Sequence, residues 1–301
     1  MNNLKNLTVI IVTYRTPKKI ITNCIKSINK NVKIIIIENS KKFEHEEFFS
    51  KKFSNIKIIC SGKNLGYGKG NNLGLKLTKT DYALVLNPDI ICEKKFFINL
   101  SQILKSKIRF NILGCQYLND KLYMPAGYFD TKINNNFRKK FFKKKINTLT
   151  KVEWVTGCSM IINLKEFKKK EIFDKNFFLY FEEFDLCKSV INNGGSVYTA
   201  RNLKVHHLGF KSSLGKNLIE KKNALNVKDW HWMWSSFYFY KKNYTYLYAV
   251  KKLFSKFIKS SIKVFYYHLT FQKNKKEKYL FRFLGLYNAF LNRPSHFRGK
   301  D

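Results

Sequence analysis

Residues 7–37 read LTVIIVTYRTPKKIITNCIKSINKNVKIIII. The opening run LTVIIVT (7–13) is continuously apolar and β-branched, which predicts a strand buried on both faces. Pro17 follows a turn, and residues 18–29 carry Ile20, Ile21, Cys24, Ile25 and Ile28 at helical spacing. A second apolar run, VKIIII (32–37), ends at Glu38-Asn39-Ser40. Strand, helix and strand in so short a span predict a parallel crossover unit. The pattern continues with IKIIC (56–60), a Gly-rich stretch from Gly62 to Gly74, a helix near 70–79, and YALVL (82–86) ending at Asn87-Pro88-Asp89. VEWVTGCSMIIN (152–163) reads as strand, turn, strand. A helix over 182–192 stops at Gly194-Gly195 and precedes a short strand, SVYTA (196–200). The predicted class is α/β, with a mostly parallel central sheet flanked by helices. Residues 138–145 (RKKFFKKK) read as a solvated loop or hairpin.

The composition narrows the function classes. With 28 Phe and 17 Tyr among 301 residues the chain is not intrinsically disordered. No apolar stretch is long enough, free of Lys and Arg, to predict a transmembrane helix, and the N-terminus lacks a signal-peptide pattern. Lys and Arg number 58 against 20 acids, a charge that favours polyanions or anionic surfaces. Only seven of the 58 are Arg, so a bias toward AT-rich codons also accounts for Lys enrichment, and Arg-based base readout is disfavoured. The six cysteines contain no C-x-x-C pair, which argues against zinc and for reduced core thiols. Residues 210–301 hold 20 Lys or Arg and four acids, interleaved with WHWMWSSFYFY (230–240) and KVFYYHLTF (263–271). Such a segment predicts helices with mixed aromatic and basic faces, either packed as an extension or lying on a membrane surface. The expected organisation is a domain over 1–213 and a C-terminal helical extension over 214–301.

Ligands of open α/β sheets sit at the carboxyl ends of the strands. Thr13, Glu38 and the Asn87–Asp89 turn fall there. A strand-end carboxylate such as Asp89 suits a divalent cation, and His206-His207 supplies an imidazole. Acids are scarce, so Glu182, Glu183 and Asp185 stand out. Mutual repulsion would raise at least one pKa, as a general base requires, though an acidic helix start favoured by the helix dipole has the same composition.

Four blocks together resemble family 2 glycosyltransferases of the GT-A fold, in particular the rhamnosyltransferase-like branch. They are VIIVTYRTP (9–17), IIIIENS (34–40), KNLGYGKGNNLGLKLTKTDYALVLNPD (63–89), and WVTGCSMII (154–162) with FDKNFFLYFEEFDLCKSVINNGGSVYTARNLKVHHLG (173–209). The resemblance spans about residues 7–213 and implies a nucleotide-sugar site. In it Thr13 lines the nucleotide pocket and Glu38 stands where the family usually has the Asp that accepts a hydrogen bond from the base. Arg15 replaces a common Asn. Asn64, Leu65 and Gly66 match the family's N-L-G turn, with Gly70 and Asn71 opening the next helix. Asn87 and Asp89 lie in a version of the D-x-D motif. The resemblance assigns Asp89 and His207, with His206 as the other register, to Mg²⁺ or Mn²⁺. Glu183 occupies the position of the catalytic base, usually Asp. Glu182 and Asp185 would orient the site or contact the acceptor, and Trp154–Met160 would shape the acceptor pocket, with Gly157 permitting close approach.

The implied activity is inverting, metal-dependent transfer of a sugar, rhamnose being one reading. The donor would be a UDP- or dTDP-sugar, and the acceptor a lipid-linked saccharide or growing surface polysaccharide. The implied place is cytoplasmic, peripheral on the inner face of the cell membrane, with an anionic membrane surface as partner and no specific nucleic acid. Two alternatives stand beside it: a basic protein binding single-stranded nucleic acid, and a non-catalytic member of the same fold that binds a sugar nucleotide.

Overall fold

A computed structural model describes residues 2–106, 108–117, 125–143, 147–208 and 218–299. The expected 213/214 boundary and the end of the lysine-rich segment, at 144–145, lie outside these residues.

The chain runs through β1 (Leu7–Thr13), α1 (Lys18–Lys26), β2 (Lys33–Glu38), α2 (Glu46–Lys52), β3 (Ile56–Cys60), α3 (Tyr67–Leu77) and β4 (Tyr82–Leu86). Then come β5 (Ile90–Cys92), α4 (Phe96–Lys105), β6 (Ile112–Tyr117), β7 (Ala126–Gly127), α5 (Thr131–Phe142), β8 (Leu149–Val152), β9 (Trp154–Val155) and β10 (Ser159–Asn163). The rest is α6 (Glu182–Asn192), β11 (Val197–His207), α7 (Leu218–Asn243), α8 (Tyr246–Leu269) and α9 (Lys273–Phe290).

Two compact units divide these elements: Met1–Leu65, Lys69–Phe173 and Leu186–Ser213 form one, and Gly66–Gly68, Asp174–Asp185 and Leu214–Asp301 the other.

The first unit is built on a nine-stranded sheet in the order β3-β2-β1-β4-β10-β6-β11-β5, with β8 paired to β11. Parallel pairing joins β3, β2, β1 and β4, and again β6 and β11. β10 runs antiparallel between β4 and β6, and β5 and β8 run antiparallel to β11, so six of the nine strands share one direction. The apolar run of β1 serves two faces with a period of two. Leu7, Val9 and Ile11 enter a core with Ile21, Cys24 and Ile25 of α1 and Phe96, Phe97 and Leu100 of α4. On the other face Ile10 and Val12 meet α3 at Gly74 and Gly70, where an added Cβ would come within 2.5 Å of Ile10 Cγ2 and 2.8 Å of Val12 Cγ1.

The structure corrects three local readings. Residues 138–142 belong to α5 rather than to a loop or hairpin, because Asp130 Oδ1 accepts from the Ile133 N–H (2.8 Å) at its start and Phe137 and Phe141 are buried one turn apart. α3 begins at Tyr67, so Gly70 and Asn71 lie inside the helix and do not open it. β11 extends from the predicted 196–200 through His207, with a register shift between Thr199 and Lys204 against β6.

In the second unit α7, α8 and α9 share a core. Trp230, Met233, Trp234 and Phe237 recur at helical spacing on α7 and pack with Ala249 and Leu253 of α8 and Leu286 and Ala289 of α9. Trp234 Nε1 donates to Arg293 O (2.9 Å), and a ring nitrogen of buried His231 lies 2.7 Å from Phe297 O. No helix among the described residues is long and apolar enough to cross a membrane.

Candidate active site

The register of β1 and β2 sets Thr13 opposite Glu38. Thr13 Oγ1 donates to Glu38 Oε2 (2.6 Å), and the Arg15 backbone N–H, from a residue with φ of 50°, donates to Glu38 Oε1 (3.2 Å). Asn39 N–H donates to Thr13 O (2.7 Å) and Ser61 N–H to Glu38 O (2.9 Å). The carboxylate is therefore buried and fixed at the carboxyl ends of adjacent strands, with lone pairs left to accept from a ligand.

β4 ends in a hydrogen-bonded turn: the Ile90 N–H donates to Asn87 O (3.1 Å), with Pro88 at the position where its fixed φ suits a β-turn. Asn87 N–H donates to Cys158 O (2.9 Å), which ties the turn to the loop after Trp154–Val155. In that loop Thr156 and Cys158 both contact the Tyr117 hydroxyl.

Asp89 is 1% exposed, and among the described residues neither of its carboxylate oxygens has a hydrogen-bond partner. The His207 imidazole stands beside it, its Nε2 3.5 Å from Asp89 Oδ2. β11 pairs with β5 so that His207 stands opposite Ile90 and His206 opposite Ile91. The pleat sends the two imidazoles to opposite faces: His206 lies 4.0 Å from Glu93. The Leu208 N–H, donating to Asp89 O (2.9 Å), holds the two strand ends together.

Among the described residues no group of three or more His, Cys, Asp or Glu gathers around one point. Asp89 and His207 nonetheless form a donor set that fits Mg²⁺ or Mn²⁺, because such ions use one or two protein ligands and take the rest from phosphate and water. A buried carboxylate that accepts from no protein donor keeps its lone pairs for a positively charged ligand.

Asn71 is buried in α3, and Asn64 is half-buried. Gly66 belongs with the second unit: its φ is +81°, a Cβ there would stand 2.2 Å from Phe178 O, and the neighbouring Tyr67 N–H donates to that carbonyl (2.9 Å). Only glycine fits this position.

Glu182, Glu183 and Asp185 form the first turn of α6. Tyr180 (φ 69°) and Phe181 (φ 68°) precede them, two aromatic residues in the left-handed region. Phe181 packs on Trp232 and Phe239 of α7, and Tyr180 meets Trp232 edge-on. Burial, then the adjacent Glu183 charge, pushes the Glu182 carboxyl well above the usual range. Asp185 is held differently: Lys242 Nζ donates to Oδ2 (2.6 Å) and Asn243 Nδ2 to Oδ1 (2.9 Å). Lys242 also reaches Asp174 Oδ2 (2.7 Å). Burial raises the Asp185 carboxyl and these two donors oppose the rise. Sequence reading misses Lys242 and Asn243, because one lysine among 51 carries no signal of its own.

The sequence profile of glycosyl transferase family 2 matches residues 8–166, more than half of the chain. The chain belongs to glycosyl transferase family 2. That span holds Thr13, Glu38, Asn64, Gly66, Asn71, Asn87 and Asp89. Among similar proteins is the low-salt glycan biosynthesis hexosyltransferase Agl10 of Haloferax volcanii, 28% identical over 61% of this chain. The match covers 61% of that relative's own length. The rhamnosyltransferase WbbL of Escherichia coli K12 is 26% identical over 56% of this chain and 70% of its own. The dTDP-rhamnosyl transferase RfbF of Shigella flexneri is 24% identical over 69% of this chain and 71% of its own. Solved structures share the GT-A fold with this family 2 chain. The mannosyltransferase PcManGT from Pyrobaculum calidifontis, in complex with GDP-Man and Mn²⁺, matches 95% of this chain and 87% of its own, with TM-score 0.53 and 9% identity. GalNAc-T7 with UDP, GalNAc and Mn²⁺ matches 78% of this chain and half of its own, with TM-score 0.52 and 14% identity.

Proposed function

We propose that the chain is an inverting, metal-dependent glycosyltransferase that moves a sugar from a UDP- or dTDP-sugar to a lipid-linked saccharide or growing surface polysaccharide. The observation that carries this reading is Asp89, a buried carboxylate without hydrogen-bond donors, at the end of β4 and beside His207. The relatives named as rhamnosyltransferases support rhamnose as the transferred sugar, and one of them names dTDP.

Thr13 and Glu38 would hold the base, with Asn64, Gly66, Asn71 and Asn87 along the rest of the donor. Asp89 and His207 would hold Mg²⁺ or Mn²⁺, in keeping with the Mn²⁺ in the two structural neighbours. Bound there, the cation supplies positive charge to the departing nucleoside diphosphate. Glu183 is the base in this reading: it takes the proton of the acceptor hydroxyl as that oxygen attacks the sugar carbon from the face opposite the leaving group. Burial, then the Glu183 charge, disfavours ionisation of the neighbouring Glu182 carboxyl. Asp185, fixed by Lys242 and Asn243, orients the first turn of α6. The basic, aromatic C-terminal helices support a peripheral position on the anionic inner face of the cell membrane, where a lipid-linked acceptor is presented.

A thermal-shift panel of UDP, dTDP, GDP and CDP, with and without Mn²⁺ or Mg²⁺, tests the donor site. Metal-dependent stabilisation by UDP or dTDP is the expected result, and no response to any nucleotide with metal present overturns it. Glu183→Gln should keep nucleotide binding and lower kcat about 100-fold or more. Turnover like that of the wild type removes Glu183 as the base.

A further inference from the structure

α8 carries an apolar face that its neighbours leave uncovered. Leu247, Phe254, Ile258, Ile262, Phe265 and Leu269 recur at intervals of seven, four, four, three and four residues, which places them on one side of the helix. Each is between 40% and 78% exposed. The opposite side, at Ala249, Leu253 and Ser260, is the buried one. The stripe is therefore a second apolar face and not the core-facing one.

Three further observations say what suits it. First, α8 has five lysines and no Asp or Glu. Lys251 sits within the stripe, one turn after Leu247, and Lys252 and Lys259 flank it; all three are exposed. Long lysine stems lie along apolar surface while their charged ends reach outward. Second, the turn after α8 holds Phe271 at φ 56°, an uncommon conformation for a non-glycine residue, with its side chain 93% exposed. The backbone thus presents one more aromatic group beside the end of the stripe. Third, no described helix is apolar enough to cross a bilayer, so this face suits lying along one.

We propose that this stripe of α8, with Phe271, is a docking surface for an anionic phospholipid bilayer, the apolar side chains entering the headgroup boundary and the lysines meeting lipid phosphates. The inference rests on the proposed membrane position and assigns it to particular side chains. A protein partner fits less well, because lysine is depleted in protein interfaces. A second copy fits poorly too, since stripe-to-stripe contact would bring Lys251, Lys252 and Lys259 of one copy toward those of the other without an acid from either α8.

The test is co-sedimentation of the full chain with vesicles of phosphatidylcholine, with and without phosphatidylglycerol, at low and high salt. The wild-type chain should bind the vesicles containing phosphatidylglycerol, less so at high salt. Ile262→Ser with Phe265→Ser should weaken partitioning about tenfold or more, with the melting temperature unchanged because both side chains are exposed. Lys251→Gln with Lys259→Gln should weaken binding and flatten its salt dependence. Absence of vesicle binding, or equal binding by wild type and both variants, overturns the proposal. So does a concentration-dependent dimer that the Ile262/Phe265 variant abolishes, which would make the stripe a self-association face. Nucleotide stabilisation in the same preparations separates the two readings. Vesicle binding without any nucleotide response keeps the docking surface and removes the transferase, and the reverse pattern does the opposite.

Discussion

Glu182 has its carboxyl raised well above the ordinary 4.5 by burial and the charge of Glu183. Between those two values the folded chain keeps a proton that the unfolded chain has released, so stability falls as pH rises through the window. Glu182→Gln keeps the shape and removes the titration. Its melting temperature should exceed that of the wild type at about pH 8, with the gap closing toward about pH 4. A gap independent of pH would assign the effect to packing. Asp89 gives the complementary case. Removing a buried charge that has no donors should leave the nucleotide-free protein as stable or more so. Asp89→Asn should nonetheless abolish the metal-dependent stabilisation by nucleotide, worth about 2.7 kcal/mol at a hundredfold excess over Kd. Thermal melts with and without Mn²⁺ check both halves. In the sequence Asp89 is a carboxylate at a strand end within Asn-Pro-Asp, a pattern that ordinary turns share, so only the family resemblance singles it out. Its lack of donors was not legible there, since that depends on side chains distant in the chain.

At the scale of elements, the start of α6 is held by α7. Lys242 bonds both Asp174 and Asp185, and Asn243 fills the remaining Asp185 oxygen. Lys242→Met should destabilise the chain by about 1–2 kcal/mol, less than for a fully buried pair because Lys242 is partly in water. If the clamp orients Glu183, kcat should fall further than that loss of stability explains, while nucleotide binding persists. A denaturant titration run beside steady-state kinetics tests this. The strands β1, β2 and β4 were legible because burial on both faces leaves an unbroken apolar run, and β3, at the sheet edge with Lys57 exposed, because isoleucines flank that lysine. α5 was not: its buried Phe137 and Phe141 lie among Lys139, Lys140 and Lys143, so charge masked the period. The aromatic runs of the C-terminal segment predicted helices, yet their fates differ. Trp230, Trp234 and Phe237 form a core, whereas Phe265, Leu269 and Phe271 face outward. Composition alone does not separate these cases, because which face is covered depends on a partner helix.

For the whole molecule, 58 basic residues against 20 acids make self-repulsion a general term in stability. Raising NaCl from low concentration to about 0.5 M should raise the melting temperature by screening that repulsion. A fall with salt would mean that specific ion pairs such as Lys242–Asp185 outweigh it. The same excess of charge points in the sequence to anionic partners in general and to no particular one. The acids that define the nucleotide-sugar reading are few and far apart, and their order along the chain carried more than their number.

The tandem histidines at the end of β11 have a consequence for sequence change. From Lys204 onward, past a register shift after Thr199, the strand pairs in step as far as His207. One residue inserted in that stretch ahead of His206 would move His206 into the slot opposite Ile90 that His207 holds now, and an imidazole would still face Asp89. One residue deleted would bring Leu208 instead. The duplicated side chain thus makes the site tolerant of lengthening and intolerant of shortening, an asymmetry open to direct test in indel libraries.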